Sequence, residues 1–231
     1  MSTSVSAPAA DPRARNSALE SAGRGPTSHP VGPGQPSRER RLGAGLILAG
    51  ALGLLAAFVL AVEKYRLLTD SAYVPTCSIN PVLSCGSVMT SPQAEAFGFP
   101  NPLLGLIGFS VVLVVGAALA GGAVLPVWFW AGLQVGVSAA VVFVHWLIAA
   151  SLYRIGALCP YCMVVWVVVI ALFVAVTARN LTAVTRRQPG PAATAAGVLH
   201  RRQGVIVTTW LLVIATLITV RFWTFWSVSL G

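Results

Sequence analysis

Four cysteines in two spaced pairs are the residues of this chain that could carry chemistry. Cys159 and Cys162 form a C-x-x-C directly before the uncharged run 163–178. Two thiols at this spacing on the first turn of a helix can close into a disulfide, and the helix N-terminus favours the thiolate of a nearby sulfur. So short a disulfide loop stabilises a fold little, which favours a reactive pair over a static one.

The second pair is Cys77 and Cys85, with seven residues between them. An Asn80-Pro81 turn lets the ends of this segment approach, and an exposed loop disulfide is open to attack by a thiolate. Taken alone, the pair could also form a structural disulfide that only stabilises an outer loop. Zinc is a further alternative, but this gap fits a zinc site poorly and we expect no metal. With both pairs on one membrane face, an electron relay is the more economical hypothesis.

The elements that must position these cysteines are membrane helices. Of the 231 residues, 56% are hydrophobic and only 9% are charged, and the mean hydropathy is +0.81, outside the range of soluble domains. A span needs about 20 apolar residues, and the uncharged runs supply five. The predicted spans are Leu42 to Val62, Asn101 to Ala120, Pro126 to Ala150, Ile155 to Ala178, and Gln203 to Val220 extended through Trp226.

The remaining segments complete the predicted organisation. Residues 1–41 are rich in Pro, Ser, Gly, Ala and Arg and predict a disordered cytoplasmic tail. Residues 63–100 form a polar outer loop, Gly121 and Gly122 a tight turn, and residues 179–204 a basic cytoplasmic linker before a fifth helix at 205–226. The predicted fold class is all-α: a four-helix transmembrane bundle at 42–178 plus a fifth transmembrane helix.

Basic residues predict the orientation, because cytoplasmic loops carry an excess of Lys and Arg. With the N-terminus in the cytoplasm, eleven basic residues fall on the cytoplasmic side: Arg13, Arg15, Arg24, Arg38, Arg40, Arg41, Arg179, Arg186, Arg187, Arg201 and Arg202. Four fall outside: Lys64, Arg66, Arg154 and Arg221. We therefore expect an inner-membrane protein with its cysteines and C-terminus on the outer face. The net charge of +9 is then a topology signal, and we expect no nucleic-acid partner.

The order of these motifs resembles the vitamin K epoxide reductase family in its bacterial disulfide-forming branch. Cys-x7-Cys follows the first span, Ser91 and Asn101 come next, and C-x-x-C opens the fourth span. The DsbB type of quinone-coupled oxidoreductase has the two pairs in the reverse order. The resemblance covers residues 42–178 and implies a four-helix bundle around a quinone, either menaquinone or ubiquinone.

The resemblance also implies roles for the cysteines. Cys159 and Cys162 correspond to the active-site pair, with Cys162 nearest the quinone. Cys77 and Cys85 correspond to the shuttle pair, in which Cys85 exchanges with Cys159 and Cys77 faces the partner protein. The implied partner is a DsbA-like thioredoxin-fold protein. Many bacterial members carry a fused thioredoxin-like domain, whereas this chain stops just after the fifth span, so we expect the partner to be separate.

Further residues are candidates for the quinone site. Asn101 matches the family position that hydrogen-bonds a quinone carbonyl, and Ser91 matches its loop Ser/Thr. Trp166 stands where animal members often carry a tyrosine, although its indole N–H could still donate. His145 could protonate a quinone or promote a thiolate, or be a packed helix residue. Arg154 could favour a thiolate or anchor the helix at the interface.

Two other functions stay open at this point. One is a quinone-epoxide reductase that uses the same thiol relay. The other is a non-enzymatic membrane scaffold whose cysteines form structural disulfides.

Overall fold

The computed structural model describes residues 35–70, 72–185, 190–223, 225 and 227. Over these residues the fold is all-helical, and the helices are α1 (Gln35–Thr69), α2 (Cys85–Met89), α3 (Pro102–Ala120), α4 (Val127–Ala150), α5 (Pro160–Thr185), α6 (Pro191–Arg201) and α7 (Gln203–Arg221). Five of them, α1, α3, α4, α5 and α7, are long and apolar enough to cross a membrane. The chain is therefore a multi-pass membrane protein, as its hydropathy predicts.

The first helix is longer than predicted at both ends. It includes residues 35–41, expected in the disordered tail, and residues 63–69, expected in the outer loop. Its 35 residues at about 1.5 Å each extend well beyond a hydrocarbon core of about 30 Å. Both charged ends of α1 can therefore contact groups outside the apolar layer. Residues 1–34 of the predicted tail lie outside the described residues.

Close packing of α1 against α3 depends on glycine. A Cβ atom on Gly43 would lie 2.8 Å from the carbonyl oxygen of Gly116. A Cβ atom on Gly116 would lie 2.7 Å from the backbone nitrogen of Ile47. Small residues at facing positions are what allow membrane helix backbones to approach this closely.

The predicted turn between the second and third spans is confirmed. Helix α3 ends at Ala120, and Gly122 has a φ of 90°, in the left-handed region that glycine adopts readily. Helix α4 follows directly after Pro126.

The connection from the third to the fourth span differs from the prediction. A π-helical turn, Ser151–Ile155, continues α4 beyond Ala150, and Gly156 ends it with a φ of 70°. The fourth span then begins at Pro160, because proline fits the first helical position, where its missing N–H costs nothing. Cys159 consequently precedes the helix, and Cys162 lies in its first turn.

The predicted basic linker is largely helical where it is described. Helix α5 runs on to Thr185, and the alanine-rich segment after Gly190 forms α6. Residues 186–189, and Trp226 at the end of the predicted fifth helix, lie outside the described residues.

The buried residues form two clusters. The larger one fills the bundle and contains Trp130, Trp166 and many aliphatic side chains. The smaller cluster consists of Leu60, Cys77, Cys85, Met89 and Cys159, and Cys162 packs against it. The four cysteines are thus assembled in apolar surroundings.

Candidate active site

Three of the four sulfur atoms lie close together. Cys77 and Cys85 form a disulfide with their Cα atoms 5.5 Å apart, whereas Cys159 and Cys162 are free. The Sγ atom of Cys85 is 3.1 Å from that of Cys159, and the sulfurs of Cys77, Cys85 and Cys159 all lie within 4.8 Å of one another. Because Cys85 is fully buried and Cys159 is only 1% exposed, water has little access to this contact.

Backbone pairing brings the two sulfurs together. The N–H of Leu158 donates to the carbonyl of Val82 at 2.7 Å, and the N–H of Ser84 donates to the carbonyl of Leu158 at 2.9 Å. These bonds form a parallel bridge between Leu83 and Leu158. The residues that follow the bridged segments are Cys85 and Cys159, so the pairing sets the register of the two thiols.

The cysteine loop is shaped by its own polar side chains. The Asn80 carboxamide oxygen accepts from the N–H groups of Val82 and Leu83, at 3.0 and 2.7 Å, which makes the turn that the sequence predicts. The Ser84 hydroxyl accepts from the N–H of Ser87 and caps the short helix α2. Cys85 is the first residue of that helix.

Two adjacent charged residues at the end of α1 hold this loop from both sides. The Glu63 carboxylate accepts from the hydroxyls of Tyr73 and Thr76 at 2.8 and 2.7 Å, in the segment before Cys77. The Lys64 ammonium donates to the Met89 carbonyl at 2.8 Å and pairs with Glu95 at 2.9 Å, in the segment after Cys85. Glu63 and Lys64 are 5% and 8% exposed, so leaving either without partners would be costly. The disulfide is therefore tethered to a membrane helix on both flanks.

The surroundings of Cys159 favour its thiolate. A hydrogen bond from the Cys162 thiol lowers the pKa of Cys159, with smaller contributions from the backbone N–H groups of Cys162 and Tyr161. Burial acts in the opposite direction, and the net pKa lies below the ordinary cysteine value. Since the thiolate is the reactive species in disulfide exchange, Cys159 is the free cysteine whose surroundings favour that form.

The structure uses Asn101 and Ser91 to fold the outer loop. The Asn101 amide nitrogen donates to the Gln93 carbonyl at 2.7 Å, and its oxygen accepts from the Ala96 N–H at 3.2 Å. The second amide N–H of Asn101 is not needed for either bond. The Ser91 hydroxyl donates to the Val88 carbonyl at 2.7 Å. A quinone contact for either residue stays a prediction.

Trp166 and His145 occupy different surroundings. Trp166 is buried in the bundle core, 3% exposed. The Nδ1 atom of His145 lies 2.8 Å from the Val141 carbonyl, and its Nε2 accepts from the indole N–H of Trp210 at 3.0 Å. With Nε2 accepting, Nδ1 is the donor of a neutral ring. His145 thereby joins α4 to α7.

Sequence reasoning missed the tether and the backbone pairing. It interpreted Glu63 and Lys64 only as the exit of the first span, although opposite charges where an apolar helix meets a cysteine loop are a usable signal. The bridge between Leu83 and Leu158 uses groups that every residue carries, so no residue type reveals it. The bond from the Arg221 guanidinium to the Leu152 carbonyl, at 2.9 Å, was also missed.

Comparison with known proteins identifies the family. No curated protein matches the chain. The pattern of the Vitamin K epoxide reductase family matches residues 45–177, which is more than half of the chain and includes all four cysteines. On this match the chain belongs to the vitamin K epoxide reductase family, a family of membrane oxidoreductases.

Proposed function

We propose that this protein is a quinone-dependent thiol–disulfide oxidoreductase that sustains disulfide-bond formation outside the cytoplasm. Electrons pass from a thioredoxin-fold partner to Cys77 and Cys85, then to Cys159 and Cys162, and finally to a quinone. The observation that carries the proposal is the 3.1 Å contact between the Cys85 and Cys159 sulfurs, with one pair closed and the other free.

The exchange between the pairs needs no group beyond the four sulfurs. When Cys159 and Cys162 form a disulfide and the loop pair is reduced, the Cys85 thiolate attacks Cys159 and displaces Cys162. The Cys77 thiolate then attacks Cys85 and displaces Cys159. The two loop sulfurs end oxidised and the C-x-x-C ends reduced, so two electrons have moved. The structure has the oxidation states of this product, and the low pKa of Cys159 makes it a good leaving group.

A partner protein would approach the loop beside Cys77. That cysteine is 6% exposed, but Val74 and Ile79 on either side of it are each 70% exposed. An exposed apolar surface next to a reactive disulfide suits a transient protein contact. Attack by a partner thiolate on Cys77 would displace Cys85 and leave a mixed disulfide, which the partner's second thiol then resolves.

The residues near the outer end of α4 fit a quinone ring. An apolar groove of about 750 Å³ is lined there by aromatic side chains that include Phe97, Phe143 and Trp146. The Phe97 ring lies 5.4 Å from that of Phe143, which in turn stacks at 5.8 Å on Trp146. Asn101 holds the turn that carries Phe97 and keeps an N–H for a carbonyl. A bound quinone supplies the two-electron acceptor, while these side chains would bind and orient its ring.

The location follows from the distribution of charge. The predicted topology assigns eleven basic residues to the side of the membrane opposite the cysteines and four to the same side, which supports this location. By this rule the cysteines face the outside of the inner membrane, where disulfides persist.

The test is the redox state of a DsbA-like substrate in membranes that carry the chain and a quinone. We expect the native chain to oxidise the substrate. The Cys162→Ala variant should not, because Cys159 alone cannot form the disulfide that accepts two electrons from the loop pair. Membranes extracted free of quinone serve as the control. If native and variant chains behave alike, the cysteines are structural and the proposal fails.

A second assay separates the epoxide alternative. If the protein reduces a quinone epoxide with a dithiol as the electron donor, the relay between the two cysteine pairs serves epoxide reduction. Quinone-dependent substrate oxidation without epoxide turnover would assign it to disulfide formation.

A further inference from the structure

A second cavity lies at the end of the bundle opposite the cysteines. It measures about 790 Å³ and opens between the start of α1, the end of α5 and the start of α7. None of the four cysteines lines it. The thiol chemistry therefore gives no account of this cavity.

The cavity has a charged mouth and an apolar interior. Arg38, Arg41 and Arg179 stand at the mouth together with Glu39, which gives a formal charge of +2. The inner walls are small or apolar side chains, among them Gly45, Leu46, Ala49, Leu172, Ala175 and Val207. A ligand that fills the whole cavity must carry negative charge at one end and hydrocarbon at the other.

The mouth lies where phospholipid headgroups lie. The arginines of α1 come directly before Leu42, the first residue of the apolar run, and Arg179 follows the apolar part of α5. Basic pockets between transmembrane helices at this depth suit anionic headgroups. The proximity of Glu39 to Arg179, 3.8 Å between Oε1 and Nε, offsets one of the three positive charges. Arg38 and Arg41 remain to meet a phosphate.

One further atom narrows the choice of headgroup. The second carboxylate oxygen of Glu39, Oε2, is buried and has no hydrogen-bond partner among the described residues. An acceptor in that position is satisfied by a donor on the ligand. The glycerol headgroup of phosphatidylglycerol carries hydroxyl donors beside its phosphate, whereas phosphatidylcholine carries none.

We propose that this cavity binds one anionic phospholipid of the phosphatidylglycerol type. The phosphate contacts Arg38 and Arg41, a headgroup hydroxyl donates to Glu39, and the start of an acyl chain lies against Gly45 and Ala49. Helix α7 buries little of its own surface against the bundle. The lipid therefore fills the space between α7, α1 and α5 and contacts all three helices. This inference does not depend on the redox function.

The test is native mass spectrometry of the full chain, purified in detergent and titrated with phosphatidylglycerol or phosphatidylcholine. The native chain should prefer phosphatidylglycerol by about thirtyfold, which corresponds to ~2 kcal/mol. The preference should fall to about threefold or less when Arg38→Gln and Arg41→Gln are combined. The matched control is Arg40→Gln, since Arg40 belongs to the same basic run but does not line the cavity. It should keep the preference.

A second variant leaves the charges in place. A Cβ atom on Gly45 meets nothing within 4 Å, so Gly45→Leu can project into open space without moving a helix. It should weaken phosphatidylglycerol binding by at least about tenfold, a loss of ~1.4 kcal/mol. An unchanged helical circular-dichroism spectrum shows that each variant is folded. Equal binding of the two lipids by the native chain, or an unchanged preference in the arginine double variant, would overturn the proposal.

Discussion

At the scale of single residues, the chemistry depends on the sulfur of Cys159. It lies 3.1 Å from Cys85, accepts a hydrogen bond from Cys162, and is 1% exposed. A buried thiol in apolar surroundings is ordinarily inert, because burial raises its pKa. Here the Cys162 thiol and two backbone N–H groups outweigh burial, so the sulfur that leaves in the proposed exchange is the one whose charge is stabilised.

The first prediction isolates the donor at position 162. In a chain with Cys77→Ala and Cys85→Ala, the Cys162→Ser and Cys162→Ala variants each leave Cys159 as the sole cysteine. Serine keeps a hydrogen-bond donor and alanine does not. A lower pKa gives more thiolate at a given pH, so Cys159 should reach half its maximal modification rate at a lower pH in the Cys162→Ser variant than in the Cys162→Ala variant.

The measurement is the pH dependence of modification of Cys159 by a small methanethiosulfonate, read by mass spectrometry. Both variants keep the backbone N–H groups of Tyr161 and of the residue that follows it, which makes each a control for the other. Identical midpoints for the two variants would show that the Cys162 donor does not set the pKa of Cys159.

At the scale of elements, the end of α1 positions the cysteine loop. Glu63 holds the segment before Cys77, and Lys64 holds the segment after Cys85. Glu63→Ala removes both hydroxyl contacts, whereas Glu63→Gln keeps the shape of the side chain and one acceptor oxygen, and its NH2 group can donate to the other hydroxyl. We expect the alanine variant to lower the effective concentration of Cys85 at Cys159 by about tenfold or more, and the glutamine variant by less than about threefold.

That effective concentration can be measured at equilibrium. In a chain with Cys77→Ala and Cys162→Ala, the disulfide between Cys85 and Cys159 is balanced against a glutathione redox buffer. At half-formation, the ratio [GSH]²/[GSSG] equals the effective concentration. Should Glu63→Ala leave that ratio unchanged, the tether does not position the loop. Rescue by Glu63→Gln separates positioning from a general loss of stability.

The contact between α1 and α3 gives a prediction in which two glycines of one helix respond with opposite sign. A Cβ atom on Gly116 would meet the backbone of α1 at 2.7 Å, whereas a Cβ atom on Gly108 meets nothing within 4 Å. Gly116→Ala should therefore destabilise the protein by about 1–3 kcal/mol, because the helices must separate. Gly108→Ala should be neutral or stabilise by up to about 1 kcal/mol, because alanine favours the helix.

Unfolding of both variants in detergent by a graded denaturant measures this difference. Equal stabilities would show that α1 and α3 do not pack as closely as the structure has them.

The elements differ in how far the sequence predicts them. Membrane spans follow from hydropathy, which is a local property, so all five were found, and Gly121 and Gly122 marked their turn. The predicted helix boundaries were wrong where a tertiary contact determines the end of a helix. The charged end of α1 is helical because Glu63 and Lys64 find partners in a loop that is distant in sequence. The contact between Cys85 and Cys159 was implied by the family resemblance, but its cause is a backbone bridge that leaves no mark on the residue types.

At the scale of the whole molecule, the two ends of the bundle differ in chemistry. The cysteines and the tether occupy one end, and the arginine-lined cavity occupies the other. The proposed thiol exchange with an extracytoplasmic partner needs the cysteine end to face outward, and the excess of arginine predicts that the opposite end faces the cytoplasm. Both requirements give the same orientation, although they rest on different residues.

This orientation can be tested with two exposed positions at opposite ends. Ile79 in the cysteine loop is 70% exposed, and Val124 in the turn between α3 and α4 is 92% exposed. In a chain whose four native cysteines are replaced by alanine, a membrane-impermeant maleimide added to intact cells should label Ile79→Cys and not Val124→Cys. Permeabilised cells should show both labelled, which controls for accessibility. Labelling of Val124→Cys alone in intact cells would invert the topology, and the C-x-x-C would then face a reducing compartment in which it could not sustain disulfide formation.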